Sequence, residues 1–247
     1  MSNNVVLITG GTGAIGVALC RCFHTDGFTV VANCHDSDVE RSEAVVASLR
    51  SEGVEVELMP FDVTDTDACE RAVQDVEARI GPLDVIVNAA GITRDAKLAK
   101  LAPEEWHAVL STNLDGVYNV TRPGIVGMTE RRYGRIVNIS SVNGQRGQIG
   151  QTNYSAAKAG MTGFTKALAR EVARDGITVN SVSPGYVRSP MIEAVPEGVR
   201  AKIVKQIPVG RFAEPEEIAR AVAFLASRHS GYVTGTDLSI NGGYQIG

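Results

Sequence analysis

Residues 5–16 read Val-Val-Leu-Ile-Thr-Gly-Gly-Thr-Gly-Ala-Ile-Gly. The apolar run 5–9 is typical of a central strand in a parallel sheet. A glycine-rich segment follows at 10–16, and a helical pattern then continues to about Asp26. Glycines let the backbone turn tightly beside a pyrophosphate, whose negative charge the amino end of a helix favours. A strand, this loop and a helix in direct succession therefore predict a dinucleotide-binding unit.

Strand and helix patterns alternate along the rest of the chain. Strands are expected at 29–34, 54–61, 85–88, 135–139, 178–183 and 237–240, and helices at 38–52, 65–80, from Pro103, and at 110–133, 154–175 and 216–226. The pattern contains no linker or repeat. It predicts an α/β fold with a Rossmann-type doubly wound parallel sheet, in a single domain that spans residues 1–247.

Residues 188–212 interrupt the alternation. They contain Pro190, Pro196, Gly198 and Pro208 and are predicted to be irregular. Because they follow the carboxyl end of a strand, where ligands bind in such sheets, a substrate lid is favoured over a plain surface excursion.

Composition narrows the class of protein. The 247 residues carry a net charge of −4 with scattered basic residues, which argues against nucleic acid as a partner. The sequence contains no run of about 18 apolar residues, so no membrane span is predicted. The start of the chain leaves no room for a signal peptide. Four cysteines without metal-ligand spacing indicate reduced thiols. We therefore expect a cytoplasmic protein without a metal site.

A second segment carries groups that can do chemistry. Ser141 follows the apolar run 135–139, and Tyr154 and Lys158 stand four residues apart at the start of a predicted helix. That spacing places both side chains on one helical face. An ammonium beside a phenol favours the phenolate, so we expect Lys158 to lower the pKa of Tyr154.

These two segments together resemble the short-chain dehydrogenase/reductase family, over essentially the whole chain. The resemblance implies hydride transfer between a nicotinamide and a carbonyl or alcohol carbon. It assigns proton donation to Tyr154, lowering of the tyrosine pKa and ribose binding to Lys158, and orientation of the carbonyl oxygen to Ser141. Asn113 would complete a proton relay through water, although a role in steadying its helix is equally open.

The resemblance also implies a set of cofactor contacts. Two residues depart from the family pattern. Ala14 replaces a glycine, and Ala89 replaces an asparagine, which removes a stabilising side-chain hydrogen bond. The cofactor residues are Gly10, Thr12, Gly13, Ala14, Ile15, Gly16, Cys34, Asp36, Arg41, Asp62, Val63, Asn88, Ala90, Gly91, Tyr154, Lys158, Pro184, Gly185 and Val187.

Four stretches, at 92–95, 141–145, 147–154 and 183–186, are similar to acetoacetyl-CoA reductases of polyhydroxybutyrate synthesis. The substrate residues implied are Asp95, Ser141, Gln148, Ile149, Gln151 and Tyr186. The main alternative is a 3-oxoacyl-[acyl-carrier-protein] reductase, for which Arg131, Arg132 and Arg135 could supply basic docking residues. A non-catalytic nicotinamide-sensing regulator is a distant alternative. The resemblance further implies a homotetramer with an interface in residues 216–247.

The choice between NADH and NADPH rests on the end of the second strand. Cys34 stands where NAD-specific relatives carry aspartate, which favours NADP. Against this, Asp36 lies at the spacing from Gly16 that is expected of a ribose-binding acid, and acids outnumber Arg41 in the following segment. We predict that NADH is used at least as well as NADPH.

Overall fold

A computed structural model describes residues 4–246, so residues 1–3 and 247 of the predicted domain and interface lie outside the described part of the chain. Seven parallel strands form one sheet in the order β3-β2-β1-β4-β5-β6-β7. The strands are β1 Val5–Thr9, β2 Thr29–Cys34, β3 Val56–Pro60, β4 Leu83–Asn88, β5 Gly134–Ile139, β6 Ile177–Pro184 and β7 Asp237–Ile240. The predicted single-domain Rossmann-type fold is confirmed.

Helices cover both faces of the sheet. They are α1 Ala14–Thr25, α2 Val39–Ser51, α3 Thr66–Arg79, α4 Pro103–Leu110, α5 Gly116–Arg131, α6 Val142–Arg146, α7 Thr152–Val172, α8 Pro190–Glu193, α9 Glu197–Val204 and α10 Pro215–Ala226. Short 3₁₀ turns occur at Asp36–Asp38, Leu98–Lys100, Ala173–Asp175 and Arg228–Ser230. No described helix has the length and apolar character needed to cross a membrane.

The apolar strands account for the two layers of core. Along β1 every residue is buried, because Val6 and Ile8 pack on one face while Val5 and Leu7 pack on the other. The strand order reverses between the neighbouring strands β1 and β4. After β1 the chain adds β2 and β3 towards one edge of the sheet, and after β4 it adds β5, β6 and β7 towards the other. In such folds a crevice opens at this point beyond the carboxyl ends of the strands, and the functional residues converge there.

Three local expectations were wrong. Residues 188–212 are only partly irregular, since Pro190–Glu193 form α8 and Glu197–Val204 form α9. Pro190 is the first residue of α8, a position where proline's fixed φ and missing N–H suit a helix. No element was predicted between Ser141 and Tyr154, where the structure has the short helix α6. The helix expected at 110–133 is broken by a π-helical turn at Ser111–Asp115.

Candidate active site

The glycine loop after β1 is shaped by contacts that no side chain could share. Gly10 has φ +63°, and a Cβ atom at Gly11 would lie 2.6 Å from Cβ of Ala32. A Cβ atom at Gly16 would meet the carbonyl oxygen of Gly10. A Cβ atom at Gly13 would lie 3.4 Å from the carbonyl oxygen of Gly10, and Gly13 caps α1 without a side-chain hydrogen bond. The first-turn N–H groups of α1 therefore suit an anion such as a pyrophosphate.

A cleft of about 670 Å³ opens over this loop. Nine predicted cofactor residues line it: Gly10, Thr12, Gly13, Cys34, Arg41, Asp62, Val63, Ala90 and Gly91. Ala14, Ile15 and Gly16 lie beside it in the first turn of α1. Residues that the sequence analysis missed also line it, among them Asn33, His35, Ser37, Asp38, Ile92, Arg94 and Thr112. The side chain of Asn33 accepts from the N–H of Gly10 at 3.2 Å, which couples β2 to the glycine loop.

Several predicted cofactor residues do not line this cleft: Asp36, Asn88, Pro184, Gly185 and Val187. Asp36 lines a neighbouring shallow pocket with Arg71 and Asp75, because the chain enters a 3₁₀ turn at this point. Asn88 is buried and donates to Asn138 Oδ1 at 2.8 Å, so it braces two strand ends. Spacing alone located these residues near the cleft but did not reveal which way they face.

His35 takes a place that the sequence analysis did not assign. Its Nδ1 accepts from the N–H of Ser37 at 3.1 Å, and its Nε2 lies 3.4 Å from a carboxylate oxygen of Asp62. Asp62 also accepts from the N–H of Thr64 at 2.8 Å. The pKa of Asp62 is lowered, since these hydrogen bonds and the nearby His35 outweigh burial. The ionised carboxylate of Asp62, fixed by these contacts, therefore lies at one end of the cleft.

The predicted catalytic residues meet beyond the carboxyl end of β5. Lys158 is 3% exposed, and its Nζ donates to the carbonyl oxygen of Ile139 at 2.7 Å. Burial lowers the pKa of Lys158 to about 8. The ammonium lies 5.6 Å from the ring centroid of Tyr154. A Cβ atom at Gly91 would lie 3.6 Å from Nζ, so the lysine borders the end of the cleft.

The pKa of Tyr154 is raised, contrary to our expectation. Burial is the largest cause, the hydroxyl of Ser141 opposes it, and the carboxylate of Asp95 adds to the rise. The ammonium of Lys158, 5.6 Å from the ring centroid, does not offset this rise. Tyr154 therefore remains a protonated phenol at neutral pH, the form that can donate a proton.

Ser141 has its hydrogen available for a ligand. It caps α6, and its Oγ accepts from the N–H of Asn143 at 3.1 Å. This contact uses an oxygen lone pair and leaves the O–H free to donate.

Asn113 is buried within the π-helical turn. Its side chain accepts from the N–H of Ile92 at 2.8 Å and donates to the carbonyl of the same residue at 2.9 Å. The paired contacts fix the loop that follows β4. The side chain thus has a clear steadying role, while the relay through water stays a prediction.

Two of the predicted substrate residues are hydrogen-bonded to each other. Gln151 Nε2 donates to Asp95 Oδ2 at 2.9 Å. Ile149 is 85% exposed. The ring of Tyr186 lies 5.4 Å from that of Tyr244, and burial raises the pKa of Tyr186. Pro184, Gly185 and Val187 lead from β6 towards the segment 188–212.

The arginines suggested for carrier-protein docking lie elsewhere. Arg131 pairs with Glu77 at 3.0 Å, and Arg132 lies 3.7 Å from Asp175. Arg135 is 4% exposed and donates to backbone oxygens. All three stand near the amino end of β5, whereas Ser141 follows its carboxyl end. Burial excludes Arg135 from docking, whereas docking through Arg131 or the exposed Arg132 stays a prediction.

Comparison with known proteins matches this arrangement. A family model described as enoyl-(acyl carrier protein) reductase matches residues 11–245. The chain is 51% identical over 239 residues to an acetoacetyl-CoA reductase of Allochromatium vinosum, covering 97% of each chain. It is 51% identical over 242 residues to one of Rhizobium meliloti, covering 98% of each. A 3-oxoacyl-[acyl-carrier-protein] reductase of Thermotoga maritima is 44% identical over 248 residues, covering 100% of this chain and 99% of that one.

The fold and the site define a dinucleotide-binding α/β oxidoreductase. The chain belongs to the short-chain dehydrogenase/reductase family, whose members use a nicotinamide cofactor. The residues present fit such a cofactor, because the glycine loop excludes side chains and the cleft runs from His35 and Asp62 towards Lys158. Within residues 4–246 no group of three or more His, Cys, Asp or Glu side chains is placed to hold a metal ion.

Proposed function

We propose that this chain reduces acetoacetyl-CoA to 3-hydroxybutyryl-CoA in polyhydroxybutyrate synthesis. The observation that carries the reaction is the grouping of the buried Ser141 and Lys158 with the half-buried Tyr154 at the end of a dinucleotide cleft. Several relatives named acetoacetyl-CoA reductases support the acyl-CoA substrate. They are 48–51% identical to this chain over nearly its whole length.

A nicotinamide held by the glycine loop and Lys158 would supply the hydride that the C3 carbonyl carbon of the substrate accepts. Ser141 donates a hydrogen bond to the carbonyl oxygen and orients it. Tyr154 gives its proton to the same oxygen as the C–H bond forms, which leaves a hydroxyl on the product and a phenolate on the enzyme. Lys158 holds the nicotinamide ribose and stabilises that phenolate by its charge. Water linked to Asn113 returns the proton from solvent.

The pocket wall built from Asp95, Gln148, Ile149, Gln151 and Tyr186 holds the acyl group in this proposal. Residues 188–212, as α8 and α9, act as the lid over it. Free cysteines throughout the described residues support a reducing, cytoplasmic location.

The alternative substrate, a 3-oxoacyl group on an acyl carrier protein, is favoured by the Thermotoga maritima relative. Rates with acetoacetyl-CoA and with acetoacetyl-carrier protein at equal concentrations separate the two. A kcat/KM at least tenfold higher for the carrier-protein substrate would overturn the acyl-CoA assignment. A nicotinamide-sensing regulator would turn over neither.

We expect NADH to be used at least as well as NADPH. Asp38 lines the ribose end of the cleft and can accept from a ribose diol, although Arg41 lines it too. The check is kcat/KM for both cofactors with acetoacetyl-CoA. A preference for NADPH of tenfold or more, about 1.4 kcal/mol, would show that Arg41 dominates over Asp38.

Two variants separate these charges in the same assay. Asp38→Asn is expected to improve kcat/KM for NADPH relative to NADH, because it removes repulsion of the 2′-phosphate. Arg41→Gln is expected to weaken NADPH use alone. Equal changes with both cofactors would place neither residue beside the ribose.

We also expect a homotetramer. The elements from α10 onward expose apolar rings, with Phe224 55% and Tyr232 104% exposed in the single chain, and such side chains are typical of buried interfaces. Light scattering at micromolar concentration should give four times the mass of one 26.2 kDa chain. A monomer would contradict the expectation.

A further inference from the structure

A hydrogen-bonded chain of side chains runs from Asp95 to Asn143. Gln151 Nε2 donates to Asp95 Oδ2 at 2.9 Å, and Asn143 Nδ2 donates to Gln151 Oε1 at 2.9 Å. Asn143 also donates through its backbone N–H to Ser141 Oγ at 3.1 Å. Neither the fold nor the comparisons gave Asn143 a role, yet it connects two predicted substrate residues to a predicted catalytic one.

The carboxylate of Asp95 decides which atom donates in each of these hydrogen bonds. An ionised carboxylate only accepts hydrogen bonds, so Gln151 must turn its NH₂ group towards Asp95 and its oxygen towards Asn143. Asn143 must then turn its own NH₂ group towards Gln151. Rotating either amide by half a turn would bring two acceptors together. The orientation set by Asp95 therefore leaves Oδ1, an acceptor, as the remaining polar atom of the Asn143 side chain.

That acceptor is unused. Oδ1 of Asn143 is buried and has no hydrogen-bond partner among the residues that the structure describes. A buried acceptor without a donor is unfavourable, and such atoms call for a specific explanation. An atom of this kind two residues from Ser141 fits a donor that arrives with the ligand.

The position of these hydrogen-bonded side chains indicates which ligand would donate to Asn143 Oδ1. None of Asp95, Asn143 and Gln151 lines the dinucleotide cleft, so a donor on the substrate fits better than one on the cofactor. The reacting 3-oxoacyl thioester carries only acceptor oxygens. The nearest donors on such a substrate are the amide N–H groups of its pantetheine arm.

We propose that Asn143 is a specificity-determining residue whose Oδ1 accepts a hydrogen bond from an amide N–H of the substrate's pantetheine arm. The inference rests on the proposed function, since it assumes a pantetheine thioester in this site. It extends that function by making substrate choice depend on the arm as well as on the acyl group.

The test compares two small thioesters of acetoacetic acid. The N-acetylcysteamine thioester keeps the first amide of the arm, and the 2-acetoxyethyl thioester replaces that N–H with an ester oxygen. Wild-type enzyme is expected to favour the amide by about tenfold or more in kcat/KM, equivalent to about 1.4 kcal/mol. In Asn143→Leu, which removes the acceptor at similar volume, the preference is expected to fall to near one.

A matched control lies on the same short helix. Gln145 donates to Asp237 and Ser239 from its exposed side chain, so Gln145→Leu also removes an amide from α6 and should keep the preference. Circular dichroism and a thermal melt establish that each variant is folded. If Asn143→Leu does not fold, Asn143→Ser, which is too short to reach the same donor, is used in its place.

The outcomes separate this inference from the function on which it rests. Equal kcat/KM for the two thioesters in wild-type enzyme that reduces acetoacetyl-CoA would overturn the role of Asn143 and leave the function intact. An unchanged preference in Asn143→Leu would also overturn it. Failure of wild-type enzyme to reduce acetoacetyl-CoA would refute the proposed function itself.

Discussion

Replacing Tyr154 with phenylalanine is expected to lower kcat for acetoacetyl-CoA reduction by about 10²–10⁴-fold, the usual contribution of a general acid. The physical reason is that only the phenolic proton donor is deleted. The ring remains over Lys158, where the ammonium lies 5.6 Å from its centroid. Cofactor affinity, measured by calorimetry or fluorescence titration, should therefore change little while turnover collapses.

The control for this variant is Tyr118→Phe, which deletes the hydroxyl of a half-exposed tyrosine on α5, outside the site, and should retain full turnover. Rates should be measured at several pH values, because a shifted optimum could mimic a loss at one pH. Turnover of Tyr154→Phe within about tenfold of wild type at its best pH would refute the proposed proton donor.

Replacing Lys158 with alanine is expected to damage two steps. Turnover should fall by about 10²–10³-fold, as for loss of one charged group at a developing oxyanion. Cofactor affinity should fall by about tenfold or more, since a hydrogen bond to a charged group contributes about 1.5–3 kcal/mol. Unchanged cofactor binding in this variant would refute the ribose role of the lysine.

Two comparisons support the interpretation of the lysine variant. Lys166→Ala changes an exposed lysine on the same helix, α7, and should leave both properties unaltered. The second comparison is with pH. Lysine is charged below its pKa, which burial lowers to about 8 for Lys158. Wild-type cofactor affinity should therefore weaken as pH rises through that value, and the alanine variant should lack this dependence.

The sheet could be predicted from sequence because its strands are short apolar runs bounded by glycine or polar residues. The end of β1 and both ends of β2 were predicted to the residue. Residues 188–212 were mispredicted because prolines there were taken as breakers. Pro190 and Pro196 instead stand at the starts of α8 and α9, where a proline is compatible with a helix.

The site was predictable where chemistry depends on spacing along one element, as for Tyr154 and Lys158 on α7. It was not predictable where the direction of a side chain decides. Asp36 has the spacing of a ribose-binding acid but lies in a neighbouring pocket. The raised pKa of Tyr154 depends on burial, which no spacing reveals. Asn143 could be found only from the hydrogen bonds that surround it.

Steady-state reduction of acetoacetyl-CoA by purified wild-type protein tests the central claim most directly, with NADH and NADPH assayed separately by loss of nicotinamide absorbance. The proposed mechanism predicts rapid turnover with at least one cofactor, with kcat/KM in the range of about 10⁴–10⁸ M⁻¹s⁻¹ found for enzymes on their own substrates. 3-Hydroxybutyryl-CoA should form in equal amount to the cofactor oxidised. A rate with both cofactors no higher than that of Tyr154→Phe would contradict the assignment of this chain as an acetoacetyl-CoA reductase.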